Sequence, residues 1–426
     1  MESKNKKYSV CIIGGGASGL FAAANLLKKG LSVVVCERNA KVGRKLYITG
    51  KGRANITNAC PANEFIENVV NGKKFLRSAI YSFPPEKTEE FFENAGVRLK
   101  TERGNRVFPQ SDKAADIIDA LLKACKGADF LFETRALRFR ISENEDSDLP
   151  KVIALETDKC DIFADSYIIA TGGVSYPLTG STGDGYRLTC ELPLIQKYEI
   201  VPPRAALCPL LSKDSSAELY PVGLSLKNVA CAVFKSERDN KPVARDEGEM
   251  LFTDKGVSGP IILTLSSLIN REAFPLVLSL DLKPALTREV LDARLLRDFE
   301  LYKNKELKNA LDDLLPRSLI PYLIFRTGIP PEKPVNSITK EERKKLLSAL
   351  KGLTFTITSP APLSEAIITS GGITLTQVDP KTMRGKLTDN LYFIGEVLDV
   401  DALTGGFNLQ IAFSTAVAAI TAIAQR

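Results

Sequence analysis

Hydrophobic and polar positions alternate between two rhythms along this chain. The opening stretch "YSVCIIGGGASGLFAAANLLKKGLSVVVCERN" begins with a continuous apolar run, Tyr8–Ile13, the pattern of a strand buried on both faces. Leu20, Ala23, Ala24 and Leu27 then recur at helical spacing, and Gly30 is placed to end that helix. Leu31–Cys36 is a second β-rich run with Glu37 directly after it, completing a strand–helix–strand unit. Residues 64–95 and Ala114–Lys126 carry helical patterns. Phe130–Phe139 and Val152–Leu155 read as strands around the polar turn "SENEDSDLPK", and "DSYIIATGG" is a buried strand ending in Thr171-Gly172-Gly173.

Beyond residue 191 the rhythm changes. Short alternating runs such as "NVACAVF" and "PLVLSLDL", separated by turns, predict a β-rich module over 192–283. "TREVLDARLLRDFELYKNKELKNALDDLL" and "TKEERKKLLSALKG" predict a helical module over 284–355, interrupted by "GIPPEKPVNS". Over residues 356–426 the first rhythm comes back, with "NLYFIGE" strand-like and Asn408–Ala424 helical. The expected architecture is α/β. A Rossmann-like dinucleotide-binding domain, built from 1–191 and 356–426, is interrupted by the two inserted modules.

Composition narrows the chemistry. The chain has no histidine, so proton transfer must use Tyr, Cys, Lys, Asp, Glu, Arg or water. Its eight cysteines stand singly with no C-x-x-C pair, which speaks against metal centres and disulfides and for a cytosolic protein. "MESKNKKYSV" has no apolar signal core, and no run of about 18 apolar residues appears, so no membrane span is expected. Ile411–Ala424, the most apolar region, reads as a short buried helix. The net charge of +6 permits a phosphate-rich partner without requiring one.

Gly14, Gly16 and Gly19 form G-x-G-x-x-G between strand and helix. The first permits the tight turn, the second close approach of a pyrophosphate, the third close helix–strand packing. The helix N-terminus adds free N–H groups. Glu37, 18 residues past Gly19, can accept hydrogen bonds from ribose hydroxyls and would repel a 2′-phosphate. FAD and NAD both fit this unit. Three later stretches favour FAD. "GRKLYITGKGRANITN" reads as a long loop along the pyrophosphate toward the flavin, with Arg44, Lys45, Lys51 and Arg53 as cations and Asn55, Thr57 and Asn58 as neutral hydrogen-bonding groups. "IIATGG" ends a strand in small residues. In "NLYFIGEVLDVDALTGGFNLQIAFSTA" a strand ends at Gly395-Glu396, where the acid can bind the ribityl chain. There Gly405-Gly406 leads into a helix whose positive end can face the flavin pyrimidine oxygens.

In these motifs the chain resembles the bacterial FAD-binding proteins of the aminoacetone-oxidase and bile-acid-pathway-like NAD(P)/FAD-dependent oxidoreductase family, which includes flavin-dependent ribosomal RNA dihydrouridine synthases. "GGGASGL", "GRKLYITGKGRANITN", "ATGGVSYPLTGSTGDGY", "EGEMLFTDKGVSGPIIL", "SGGITLTQVDPKTM" and "GEVLDVDALTGGFNLQIAFSTA" carry the resemblance from Val10 to Ala416. It implies a two-dinucleotide-binding-type FAD domain interrupted by a β-barrel-like module and a small helical one. The residues expected at the cofactor are Gly14, Gly16, Ala17, Ser18, Gly19, Glu37, Arg38, Arg44, Lys45, Gly52, Arg53, Asn55, Thr57, Ala136, Thr171, Gly172, Gly395, Glu396, Gly406, Asn408, Leu409 and Gln410. One position departs: the family's loop commonly reads G-R-C-N, and here Ala54 stands where that cysteine would be. If the cysteine is the proton donor, another group must replace it, and Cys60 is close in sequence.

The resemblance implies reduction of a conjugated C=C bond by hydride from flavin N5. The favoured substrate is a uridine of large-subunit ribosomal RNA or its precursor, giving dihydrouridine. A steroid-like enone is the second reading; amine oxidation or a non-catalytic redox sensor are further ones. No second G-x-G-x-x-G is present, so NADH or another reduced carrier would bind transiently. Tyr176 and Arg53 are the candidate catalytic residues, the first to donate a proton or position substrate, the second to polarise a carbonyl or stabilise an enolate. The basic runs "RLKTERGNR" and "EERKKLL" are candidate RNA contacts.

Overall fold

The computed structural model describes residues 6–144 and 147–426. The first five residues, and residues 145 and 146 of the polar turn, lie outside the described residues. The chain forms two units: Met1–Arg204 with Ala366–Arg426, and Ala205–Glu365.

The first unit is organised by a seven-stranded sheet. Lys7–Ile13 lies between Val33–Cys36 and Asp161–Ile169 and is parallel to both, with Ile12 opposite Val35 and Ile168. Asp129–Leu131 extends the sheet beyond Val33–Cys36, and Leu391–Phe393 pairs in parallel with Asp161–Ile169. The continuous apolar strands are explained by cover on both faces: Val10–Ile13 and Val33–Cys36 are entirely buried. An antiparallel pair, Ala136–Ser142 and Lys151–Thr157, completes the sheet. Helix Ala17–Lys28 packs on the C-terminal helix Phe407–Ala424 through Phe21 and Phe413, whose ring centroids are 4.8 Å apart.

One expectation needs correction here, and two helical ones gain detail. The stretch after Glu37 is not a loop throughout: Arg44–Gly52 is helical, broken at Thr49–Lys51, where Gly50 and Lys51 take positive φ. Its Leu46 is buried, and this apolar anchor draws the segment onto the helix Ala114–Ala124. Residues 64–95 form three helices, Ala62–Glu67, Lys73–Ser82 and Pro85–Asn94, because Gly72 in the left-handed region and Pro84-Pro85 punctuate them. The last helix starts at Phe407 and has 18 residues, long and apolar enough by itself to cross a membrane, with two-thirds of it buried within the protein.

The second unit is a closed six-stranded barrel with helices on the same core. Strand order is Leu210–Ser212, Gly256–Ser258, Ala244–Thr253, Ser225–Phe234, Leu276–Asp281, Leu353–Pro360, closing on the first. Barrel residues Phe252 and Phe355 and helical residues Leu295, Tyr322 and Leu346 belong to one apolar cluster, so the β-rich and helical parts share a core. The unit ends at 365 because Leu353–Pro360 is a barrel strand. The first unit extends to 204 because Leu192, Leu194 and Tyr198 are buried in its core.

Candidate functional site

The glycine turn sits where the parallel strands end. Helix Ala17–Lys28 begins at Gly16, with no side chain capping its first N–H groups. The three fingerprint glycines have different surroundings. A Cβ on Gly14 would lie 2.6 Å from the Ala170 carbonyl oxygen, and one on Gly19 would lie 2.0 Å from that of Gly14; both are packed against backbone. A Cβ on Gly16 would meet nothing within 4 Å. The open face at a helix N-terminus is where a pyrophosphate would be held.

Glu37 is buried at the end of its strand. One carboxylate oxygen accepts from the Gly15 N–H at 2.8 Å, the other from the Asn39 backbone and side-chain amides at 2.8 and 2.7 Å. A carboxylate has about four acceptor positions, so it retains capacity for a ribose hydroxyl. Asn39 is also bonded by Arg44, whereas Arg38 is paired with Asp184 at 2.9 Å. Ala136 lies just beyond, its carbonyl accepting from Arg187.

A polar cluster joins four segments of this unit that are separate in sequence. Lys45 Nζ donates to Glu396 at 2.6 Å and to Ser175 Oγ at 2.6 Å; the Thr369 N–H donates to Glu396 at 2.8 Å. Thr369 Oγ1 accepts from the N–H groups of Val174 and Ser175. Ser175 and Thr369 were not among the expected site residues. Ser175 stood next to Tyr176 in one motif, and Thr369, 194 residues away, directly precedes another that begins at Ser370, but neither motif marked it as a site residue. Tyr176 has φ of 51°, in the left-handed region that a non-glycine residue seldom occupies. Its hydroxyl makes no hydrogen bond among the described residues.

The remaining expected residues divide clearly. Thr57 Oγ1 and Thr88 Oγ1 both donate to the Gln410 side-chain oxygen, and Gln410 Nε2 donates to the Phe83 carbonyl. Asn408 is bonded to the backbone of Ala402 and Leu403. These side chains brace the start of the C-terminal helix. What Gly406, Asn408, Leu409 and Gln410 present to a ligand is therefore the N-terminal end of that helix. Arg53 is separate from the lysine cluster: it pairs with Glu102 and Asp112 and stacks on Phe108, 4.1 Å from the ring centroid. Hydrogen bonding from Arg53 holds the Glu102 carboxyl below its usual range; Lys100 and then Arg53 do the same for Asp112. Gly52, beside Arg53, has φ of 84°, and Ala54, fully buried, has φ of 54°. Cys60 is 1% exposed in the apolar core, and burial pushes its thiol up to about 11.

Two buried side-chain oxygens among the expected residues, Asn55 Oδ1 and Thr171 Oγ1, have no hydrogen-bond partner among the described residues. Buried polar atoms are ordinarily satisfied. Together with the open face at Gly16, they fit a bound dinucleotide that supplies the missing contacts.

This parallel sheet, glycine turn and strand-end acid define a Rossmann-type dinucleotide-binding domain, and with the family and relatives that follow the chain is a flavin-dependent oxidoreductase. The HI0933-like protein Rossmann domain family matches residues 8–422, and the chain belongs to that family. It is 29% identical over 423 residues to the ribosomal RNA dihydrouridine synthase of Haemophilus influenzae, covering 97% of this chain and 98% of that one. It is 28% identical to the 3-dehydro-bile acid delta(4,6)-reductase of Clostridium scindens, over 97% and 98% of the two chains. In fold it resembles a flavocytochrome c3 fumarate reductase (TM-score 0.52, 15% identity, 99% of this chain and 79% of that one). It equally resembles the 3-ketosteroid-delta4-(5alpha)-dehydrogenase of Rhodococcus jostii RHA1 (TM-score 0.52, 12% identity, 99% and 98%).

Proposed function

We propose that this protein is an FAD-dependent reductase of a conjugated C=C bond, and that its substrate is a uridine of large-subunit ribosomal RNA, converted to dihydrouridine. The observation that carries this reading is likeness along the whole length to a ribosomal RNA dihydrouridine synthase, with the glycine turn, Glu37 and the Lys45–Glu396 pair all present. Bound flavin supplies a hydride for an electron-poor carbon. Gly14–Gly19 and the helix behind them hold the pyrophosphate, Glu37 holds the adenosine ribose, and Lys45 with Glu396 orients the part between pyrophosphate and ring. Tyr176 donates the proton that completes saturation at the neighbouring carbon, its hydroxyl free of other partners. Arg53, braced by Glu102 and Asp112, fixes the turn that carries Ala54 and Asn55. NADH or another reduced carrier delivers the electron pair. A steroid-like enone is the second reading, favoured by equal coverage of the bile-acid reductase.

The test is deletion of the gene in its native host, followed by mapping of dihydrouridine across the large-subunit ribosomal RNA. Loss of one site, restored by the wild-type gene but not by a Gly16→Val copy, supports the RNA reading. An unchanged map in a strain carrying the modification overturns it in favour of small enones.

A further inference from the structure

The second unit carries a cleft of about 540 Å³ that takes no part in the cofactor site. Arg326, Lys344 and Lys345 supply three cations to its lining; Thr327, Ser348 and Thr354 supply hydroxyls, and no carboxylate lines it. Ligand pockets for small apolar molecules are lined mainly by apolar and aromatic side chains. This one has the opposite chemistry, that of phosphate oxygens held by Lys, Arg, Ser and Thr.

The cations differ in how they are held. Arg326 is fixed: its guanidinium donates to Tyr322 Oη at 2.9 Å and Thr354 Oγ1 at 3.3 Å, with Asp214 3.5 Å away. Lys344 and Lys345 are exposed on the helix Lys340–Lys351, and neither is paired with a carboxylate among the described residues. Of the two acids of that helix, Glu341 is exposed and makes no ion pair among the described residues, and Glu342 is engaged elsewhere. Glu342 closes the N-terminal cap on Thr339 and binds Lys333; Arg343, on the same helix, is neutralised by Asp292. In the other basic run, Arg98–Arg106, Lys100 is paired with Asp112, while Arg98, Arg103 and Arg106 are exposed without an ion pair among the described residues; that run lines no such cleft. Resting on the RNA reading above, we infer that the cleft between Arg326 and the Lys344-Lys345 pair is a docking site for the sugar–phosphate backbone of the substrate RNA. Contacts of this kind fix register and carry little sequence information.

The experiment measures binding of the flavin-loaded protein to protein-free large-subunit ribosomal RNA across a salt series. Three proteins are compared: wild type, Lys344→Glu/Lys345→Glu, and a control reversing the exposed Arg238 and Lys241 of the same unit. Each lost phosphate contact lowers the salt slope by about 0.7 to 0.9. The lysine variant should bind about tenfold or more weakly at 0.15 M salt, with the slope reduced by 1 to 2, while the control matches wild type. Equal loss in both variants, no loss in the lysine variant, or no binding by wild type overturns the docking site. Displacement of the RNA by tripolyphosphate at matched phosphate concentration also overturns it, in favour of a small phosphate compound. Dihydrouridine formation is read in the same samples after the bound flavin is reduced anaerobically with dithionite, which supplies the electron pair: wild type that binds through the lysines yet forms none counts against the uridine reading and leaves the docking site standing.

Discussion

Lys45 and Glu396 are 351 residues apart in sequence, and their charged groups meet at 2.6 Å. The contact ties the segment following the first strand–helix–strand unit to the end of the Leu391–Phe393 strand. Both side chains are about 23% exposed, so the pair is screened less than a surface ion pair. Lys45→Met leaves Glu396 with only the donors Thr369 N–H and Ser175. The expected result is flavin binding weakened by about 10- to 100-fold, the scale of a lost charge-assisted hydrogen bond. Glu396→Gln keeps an acceptor for Thr369 and should lose less. Titration of the flavin-free variants with FAD, followed by fluorescence, measures both; equal affinity in Lys45→Met and wild type would refute the link.

The glycine turn separates binding from folding. Gly16 faces open space, so Gly16→Val should fold with an unchanged melting temperature in the absence of flavin and fail to retain the cofactor. Gly19→Ala puts a methyl 2.0 Å from the Gly14 carbonyl oxygen and must push helix from strand. It should melt lower, by an amount on the order of the 1–3 kcal/mol typical of overpacking. Thermal melts with and without FAD distinguish the two; a Gly16→Val protein that keeps its flavin would show that the open face is not the phosphate seat.

What the sequence made legible follows from range. The strand–helix–strand unit, the strand before Thr171 and the Gly395-Glu396 turn were readable because apolar runs and glycine spacing are local signals. The kinked helix Arg44–Gly52 was not, because its cations and glycines imitate a loop and a single buried residue, Leu46, anchors it. Ser175 and Thr369 escaped because only tertiary contact joins them to Lys45. Arg53 read from sequence as a cofactor-binding and candidate catalytic cation, but its commitment to Glu102 and Asp112 depends on the pairing of Leu99–Glu102 with Arg106–Pro109, which no spacing rule fixes. The shared core of the inserted unit was hidden for the same reason: alternation and helical periodicity each describe one element, not which elements pack together.

The Arg53 cluster predicts an acid-sensitive turn. Both carboxyls are held below their ordinary values of 4.5 and 3.8, so the pairing contributes fully above those values and is lost as pH falls through the lowered ones. Glu102→Gln with Asp112→Asn should therefore remove part of the drop in melting temperature between pH 5 and 3 and leave behaviour near pH 7 to 8 with little further pH dependence. Melting curves across that range check it; a variant with an acid limb as steep as wild type would show that these carboxyls do not contribute.

The proton source is the remaining question, because Ala54 offers none where the family commonly has a cysteine. Two replacements were conceivable from sequence, and the structure treats them unequally. Cys60 is sealed in the core, and with its thiol pushed up to about 11 it is a weak acid with no path to a substrate. Tyr176 is half-buried, held in a left-handed backbone next to Ser175, and its hydroxyl is uncommitted. Cys60→Ala should accordingly leave turnover unchanged. Tyr176→Phe should lower kcat by about 10²-fold or more, the usual contribution of a positioned general acid, while the rate at which the enzyme's flavin is reduced by its carrier stays the same. Stopped-flow separation of the two half-reactions is the measurement. A Tyr176→Phe enzyme with normal kcat, or a Cys60→Ala enzyme slowed only in the step that consumes substrate, would reverse the assignment.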